Sequence, residues 1–288
     1  MKRYLPLAAL FIALLLALLG WRMTSSLIAR EYRRPQTVSL RWKTQALTAG
    51  DCRRLEEPAQ DEAPPVYAAW AGGERLLVEP RNGREELAQA LLVRGEISLL
   101  LPQETVLGNL PQSNLECAVS EDLCYELFGS ADAAGQALRM EGRDYTVSGM
   151  LRGLRRTVVF LQPQQEAFSA LELAVPQGKN AYAAAEDFLS RYALPEPDGV
   201  QSHAGHFRLS GLGEWIPSRW SDFEHWSTLL RQAKERRQAL GALPLCEPDR
   251  LRKEAVNEVW LSIAASLAMS AAALLLLVRE LRRLKEQV

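Results

Sequence analysis

The chain has 288 residues, with 34 Lys and Arg against 35 Asp and Glu, for a net charge of −1. This length allows one large domain or two small ones, and so balanced a charge offers no field to gather nucleic acid, for which no binding motif is present either. The mean hydropathy of −0.14 conceals a segregation, because the apolar residues gather at the two ends and the middle has the composition of a soluble domain.

From Leu5 to Leu19 there is no charged side chain, and Lys2 and Arg3 precede the run. With Gly20 and Trp21 it reaches about 17 residues, the short limit for crossing a ~30 Å hydrocarbon layer. A cleaved signal peptide is the rival reading. It needs small residues in an A-x-A-like pattern, and Leu18, Leu19, Gly20 and Trp21 after Ala17 fit that poorly. Trp21 stands where an interfacial aromatic belongs, so an uncleaved anchor is expected.

The helix can continue through Arg34 until Pro35. Val38, Leu40 and Trp42 then alternate with polar residues and predict a strand. Thr48 with Asp51 has the spacing of a capping box, which predicts a helix over 49–57. The acidic, proline-bearing stretch 56–65 reads as a loop. Apolar runs on either side of Gly72-Gly73 predict a hairpin there. Leu87 to Val93 and Ile97 to Leu101 are expected as buried strands.

Between Glu116 and Phe160 the signals are denser. Cys117 to Val119 ends a strand, and Ser120 caps a helix that places Leu123, Cys124, Leu127 and Phe128 on one face. Gly129 suits a left-handed C-terminal position. A hairpin comes next, with strands over 136–140 and 145–150 around the turn Glu141-Gly142-Arg143-Asp144. Two more strands are expected over 157–161 and 171–175. Tyr182, Ala185, Phe188, Leu189 and Tyr192 form a helical stripe. Residues 194–213 read as a loop or weak strand pair, and Ser221 with Glu224 opens a helix to about Leu240. Strands and helices alternate with hairpins inserted, which predicts an α+β domain.

Val259 to Val278 is about 20 uncharged residues, enough to span a bilayer. Arg279, Arg282, Arg283 and Lys285 come directly after it, as the positive-inside rule asks of a cytoplasmic flank. Ser262, Ala265, Ser266, Met269, Ser270 and Ala273 fall near one stripe of small residues that would let another helix, such as the first span, approach closely.

Candidate chemistry is sparse. Cys52, Cys117, Cys124 and Cys246 permit two disulfides in three connectivities, a bridge between Cys117 and Cys124 among them, or they are small buried apolar residues. His203 and His206 lack the helical support and nearby carboxylate of a metal site. No nucleophile elbow, catalytic triad or P-loop is present, so neither an enzyme nor a cofactor is expected. Trp215, Trp220, Phe223 and Trp226 form an aromatic cluster that either pins the last helix or offers an interaction patch, with the first reading favoured. Arg152, Arg155 and Arg156 make a basic loop that could meet lipid head groups, although a solvated surface is the simpler reading.

The string VSEDLCYELFGSADAAGQALRMEGRDYTVSGML, residues 119–151, resembles the extracytoplasmic core domain of MacB/FtsX-type ABC transporter permeases. The resemblance rests on Leu127-Phe128-Gly129, Asp132, Gly135 and the strand from Tyr145 to Gly149. On the residues alone, Phe128 plugs a core, Gly129 turns the chain, Gly135 starts the hairpin where a side chain would collide, and Gly149 ends a buried strand.

The resemblance implies a MacB core-like mixed α/β domain of two subdomains, flanked by two transmembrane helices. The expected organisation is a first span over 1–22, an extracytoplasmic domain over 23–250, a second span over 251–279 and a basic cytoplasmic tail over 280–288. Permeases of that family carry three spans after the outer domain, where this sequence shows one. The resemblance therefore implies a non-catalytic membrane subunit or accessory protein of such a transport system. Its expected contacts are membrane lipid and a cytoplasmic ABC ATPase or a larger permease, within a homo- or hetero-oligomer. A scaffold module of the envelope, without a transport role, is the alternative.

Overall fold

The computed structural model describes residues 5–33, 35–43, 46–57, 64–80, 83, 85–101, 106–162, 166–176, 179–202, 223–241 and 247–285. It divides into two compact units, one of Met1–Arg34 with Arg252–Val288 and one of Pro35–Leu251.

In chain order, helix α1 (Leu5–Arg33) is followed by strands β1 (Thr37–Arg41) and β2 (Leu47–Thr48) and helix α2 (Ala49–Glu56). The capping box forms: Asp51 N donates to Thr48 Oγ1 at 3.2 Å, and Thr48 N donates to Asp51 Oδ2 at 2.8 Å. Strand β3 (Tyr67–Pro80) runs straight through Gly72-Gly73 and pairs with β4 (Glu86–Gly95), so the chain does not turn at the glycines. The glycines instead absorb a register shift between Gly72 and Arg75. A Cβ on Gly72 would meet Leu91 Cδ1 at 2.9 Å. Ile97–Leu99 forms a 3-10 turn, not a strand, with its N-terminus closed by Glu96, which accepts from Ser98 N.

Short β5 (Val106–Gly108) precedes β6 (Glu116–Ser120) and helix α3 (Glu121–Phe128). Then come β7 (Ala137–Met140), β8 (Arg143–Leu151), β9 (Thr157–Leu161), β10 (Ala167–Phe168) and β11 (Ala170–Ala174). Helix α4 (Ala181–Arg191), capped by the Asn180 side chain, leads to β12 (Gly199–Ser202), α5 (Phe223–Gly241) and α6 (Glu247–Lys285). The turn between β7 and β8 has positive φ at both Glu141 and Gly142, the geometry that matches strand twist in a tight hairpin.

Residues 35–251 cluster as one unit, and a ten-stranded sheet runs through them, its path in the order β12-β1-β11-β3-β4-β9-β6-β8-β5. β7 pairs with both β3 and β8, which closes β3, β4, β9, β6, β8 and β7 into a barrel-like ring. The pairings of β4 with β9 and of β6 with β8 are parallel. Against the ring, α3 buries Leu123, Cys124 and Leu127 in a cluster with Val119, Leu138, Tyr145 and Phe160. The Tyr145 ring meets Phe160 edge-on at 4.8 Å between centroids. A second cluster joins α2, α4, β1 and β11 around Leu40, Leu55, Phe168 and Phe188.

In the other unit, α1 and α6 meet through polar groups on apolar helices. Thr24 Oγ1 lies 2.7 Å from Ser262 Oγ and 2.9 Å from Ser266 Oγ, and Trp21 Nε1 donates to Ser270 Oγ at 2.9 Å. Gly20 stands against Met269 and Ser266, so the small-residue stripe does receive the first helix. Arg30 and Glu258 form an ion pair at 3.2 Å. Both helices are long and apolar enough to cross a membrane.

Candidate functional site

The residues that carry the family resemblance sit in the ring core and shape it. Leu127 is fully buried and Phe128 packs partly buried beside it. Gly129 takes φ +72°, and its N–H closes the helix on Tyr125 O. Gly135 has φ +81° and open space where a Cβ would be, so its glycine answers a backbone conformation, not the collision expected from sequence. Gly149 is the close approach: a Cβ there would collide with Asn109 O and lie 3.0 Å from Leu107 O. Ser120 adopts the extended backbone of an N-cap but makes no side-chain cap. Its hydroxyl instead donates to Asp122 Oδ1 at 2.6 Å and accepts from Thr157 N at 2.9 Å, which stitches β6 to β9.

The bridge between Cys117 and Cys124 is not formed. Both are free buried thiols, as is Cys52. Cys117 belongs to β6, while Cys124 turns its thiol back to Val119 O at 3.8 Å. Burial pushes the Cys124 thiol up to about 12 and the Cys52 thiol up to about 11, and raises Cys117 too, so none is poised to react. Of the aromatic cluster, Trp215 and Trp220 lie outside the described residues, as do His203, His206 and Cys246. Phe223 is 77% exposed at the start of α5 and Trp226 is half-buried. Among the described residues, no group of three or more His, Cys, Asp or Glu could hold a metal ion.

The basic loop has an internal task. Arg156, at φ +45°, reaches Glu86 and Glu126 at 2.6 Å each, and its backbone N–H donates to Asp122 at 2.9 Å. Arg155 N donates to Glu247 Oε2 at 3.1 Å. Glu247 also accepts from Arg250 Nη2 at 2.7 Å, which in turn donates to Gly153 O at 2.6 Å. Gly153 has φ +80°, and a Cβ there would meet Leu251 Cδ2 at 2.8 Å. The loop therefore grips the first turn of α6, residues 247–251.

A buried charge network holds the same turn from a second direction. Glu172 on β11 is fully buried and accepts from its cross-strand partner Ser39 at 2.7 Å and from Arg41 Nη2 at 3.4 Å. Arg41 Nη2 also reaches Asp249 Oδ1 at 2.6 Å, and its guanidinium lies 4.2 Å over the Trp70 ring. No sequence pattern marked this network, because Ser39 and Arg41 alternate with Val38 and Leu40 as a solvated face would. Both faces of β1 are buried. The signal that was available is Glu172, an acid within the apolar run 170–175.

A third charged tie binds α2 to the sheet. Arg94 donates to both oxygens of Glu56, at 2.8 and 2.6 Å, and Tyr67 Oη donates to Glu56 at 3.1 Å. The Arg94 hydrogen bonds hold the Glu56 carboxyl below the usual carboxylate range, whereas burial pushes the Tyr67 phenol up.

A cleft of about 740 Å³ lies at the β5 end of the sheet. Its walls include Val106 and Gly108 of β5, Thr146 to Ser148 of β8, Gly135 and two carboxylates, Glu96 and Glu116.

Solved structures are similar to this fold at low identity. The periplasmic region of MacB from Actinobacillus actinomycetemcomitans superposes with a TM-score of 0.46 and 11% identity, over 60% of this chain and 90% of that one. The extracellular domain of the ABC-type transporter YknZ from Gram-positive bacteria does so with a TM-score of 0.42 and 12% identity, over 58% of this chain and 98% of that one. The likeness is partial and concerns the fold. No protein-family model matches the chain, and no curated protein matches it.

Proposed function

We propose that the chain is a non-catalytic, two-pass membrane subunit of a MacB/FtsX-like ABC transport system. Both termini are cytoplasmic in this reading, and the Pro35–Leu251 unit stands outside the cell membrane. The unit transmits conformational change or engages substrate, and the partner is a cytoplasmic ABC ATPase, a larger permease, or both. The observation that carries the proposal is the double grip on the first turn of α6, by Gly153 and Arg155 on one side and Arg41 on the other. α6 is also one of the two helices long and apolar enough to cross a membrane. In this reading the held turn, residues 247–251, is where a displacement would enter or leave the folded unit. The resemblance of residues 119–151 to the MacB/FtsX core supports the same reading.

The test is purification of the full chain from native membranes in mild detergent. The expected result is co-purification of an ATP-binding subunit whose ATPase rate changes when Asp249→Asn loosens the turn. A chain that emerges alone, with no ATPase partner and no neighbouring gene for one, overturns the proposal.

A further inference from the structure

The first turn of α6, residues 247–251, belongs to the Pro35–Leu251 unit, and the charged groups on each side of its seat are already paired among themselves. On the sheet side, Arg41 is held without help from the turn. Its Nε donates to Ser39 Oγ at 2.7 Å, its Nη2 lies 3.4 Å from Glu172 Oε1, and its guanidinium covers the Trp70 ring. Ser39 Oγ donates in turn to the same Glu172 oxygen at 2.7 Å. On the helix side, Glu247 Oε2 accepts from Arg250 Nε at 3.0 Å and from Nη2 at 2.7 Å, a pair three residues apart on one helix. Were the turn to part from the sheet, both sets would stay whole. The losses would be Asp249 from Arg41, Arg155 N from Glu247, Gly153 O from Arg250, and the close approach of Leu251 to Gly153. Water can take the place of the two backbone groups, and the helix dipole favours Asp249 in a first turn.

Asp249 and Glu172 meet at one nitrogen. Arg41 Nη2 is 2.6 Å from Asp249 Oδ1 and 3.4 Å from Glu172 Oε1, the first a short charged hydrogen bond and the second a long one. Two carboxylates that reach the same nitrogen are close neighbours, and like charges in a nearly buried place repel. Each therefore weakens the other's hold on the cation. Departure of Asp249 frees Nη2 to close the long contact to Glu172. The usual obstacle to breaking a buried ion pair is the charge it strands, and Arg41 is not stranded here.

We infer that the first turn of α6 is a detachable latch with Arg41 as its clasp: Nη2 holds Asp249 while the turn is seated and closes on Glu172 when the turn leaves. The use of such a latch rests on the transport reading above, but its test needs no ATPase. A latch that fails leaves a co-purified ATPase standing, and a chain that purifies alone leaves the latch standing.

The experiment uses the full chain in nanodiscs and follows hydrogen exchange of the Arg155 amide, which donates to Glu247 of the seated turn. Asp249→Asn weakens the clasp on the seated side, and Arg155 should exchange about tenfold faster, the effect of losing one charged hydrogen bond. Glu172→Gln keeps an acceptor for Ser39 and Arg41 but removes the competing charge. Arg155 should then exchange about threefold slower, because one close like-charge contact is relieved. A fixed network gives the opposite sign for this second variant, since loss of any member loosens the turn. Faster or unchanged exchange in Glu172→Gln, or unchanged exchange in Asp249→Asn, overturns the inference. If Glu172→Gln does not fold, the Arg41 Nε–H decides the matter. In Asp249→Asn its NMR signal should exchange with solvent within about twofold of the rate in the unsubstituted chain, because Ser39 and Glu172 still hold the guanidinium. An Arg41 Nε–H that exchanges about tenfold faster there shows the cation set free, with no second position to close on, and overturns the clasp.

Discussion

The ring core around α3 and the seat of α6 are held by opposite kinds of interaction within one folded unit. In the ring, Leu123, Leu127, Val119, Tyr145 and Phe160 bury one another, and glycines at 129 and 149 let the chain turn and approach. At the seat, Arg41, Glu172, Asp249, Glu247 and Arg250 do the holding, with Leu251 an apolar contact at the edge of a core. Apolar packing is non-directional and cooperative, so a ring of this kind opens as a whole. A charged seat is directional and specified by few groups, which makes it the part of the unit most easily reset by a small displacement.

The sharpest way to break this contrast is at Arg41. Arg41→Met removes the guanidinium from beside fully buried Glu172 and should cost about 3–5 kcal/mol, the penalty of stranding a charge in a protein interior. Thermal or denaturant unfolding of the detergent-solubilised chain measures it, and a loss under about 1 kcal/mol would mean that the network contributes little beyond an exposed ion pair. Leu127→Ala should cost about 3 kcal/mol through the cavity it leaves in the ring. That loss should appear as a uniform drop in amide protection across β6 to β9. Asp249→Asn, in contrast, keeps an acceptor near Arg41 while removing a charge. It should shift global stability by about 1–2 kcal/mol, the cost of weakening a part-buried charged hydrogen bond, and raise amide exchange selectively at the start of α6. If Asp249→Asn loosened the ring as much as the seat, the two regions would be one cooperative block and the contrast would fail.

The two regions also differ in how far they could be read from the sequence. The ring was legible because its instructions are local. Leu123, Cys124, Leu127 and Phe128 have helical spacing, Gly129 ends the helix, and Glu141-Gly142 sits between two alternating runs. Both flanking helices were equally legible, since an uncharged run of spanning length needs no partner to be recognised, and the small-residue stripe anticipated the contact with Thr24. The seat was not legible. Its members come from residues 39–41, 153–155, 172 and 247–251, and only the fold brings them together. The hairpin expected at Gly72-Gly73 failed for a related reason: a Gly pair permits a turn but equally permits a bulge, and the long pairing with β4 decides between them. The cleft was invisible because β5 is too short to leave a periodic signal.

The smallest expected effect separates charged ties from apolar ones by pH. Glu56 is held below its ordinary value of 4.5, first by the Arg94 hydrogen bonds. Asp51 is lowered too: burial raises it, but the Thr48 and Arg54 hydrogen bonds together outweigh that. A carboxyl whose folded value is depressed adds stability that is fully present above its unfolded value and is lost as pH falls through the folded one. Glu56 is 45% exposed at its side chain, so solvent screens much of the gain. As pH drops below about 4.5, amides of α2 should therefore lose protection before those of α3, whose buried face, Leu123, Cys124 and Leu127, packs in an apolar cluster. Glu56→Gln should flatten that acid response in α2 and leave α3 unchanged. Equal acid sensitivity in the two helices would show that Glu56 and Asp51 contribute nothing that the surrounding core does not already supply.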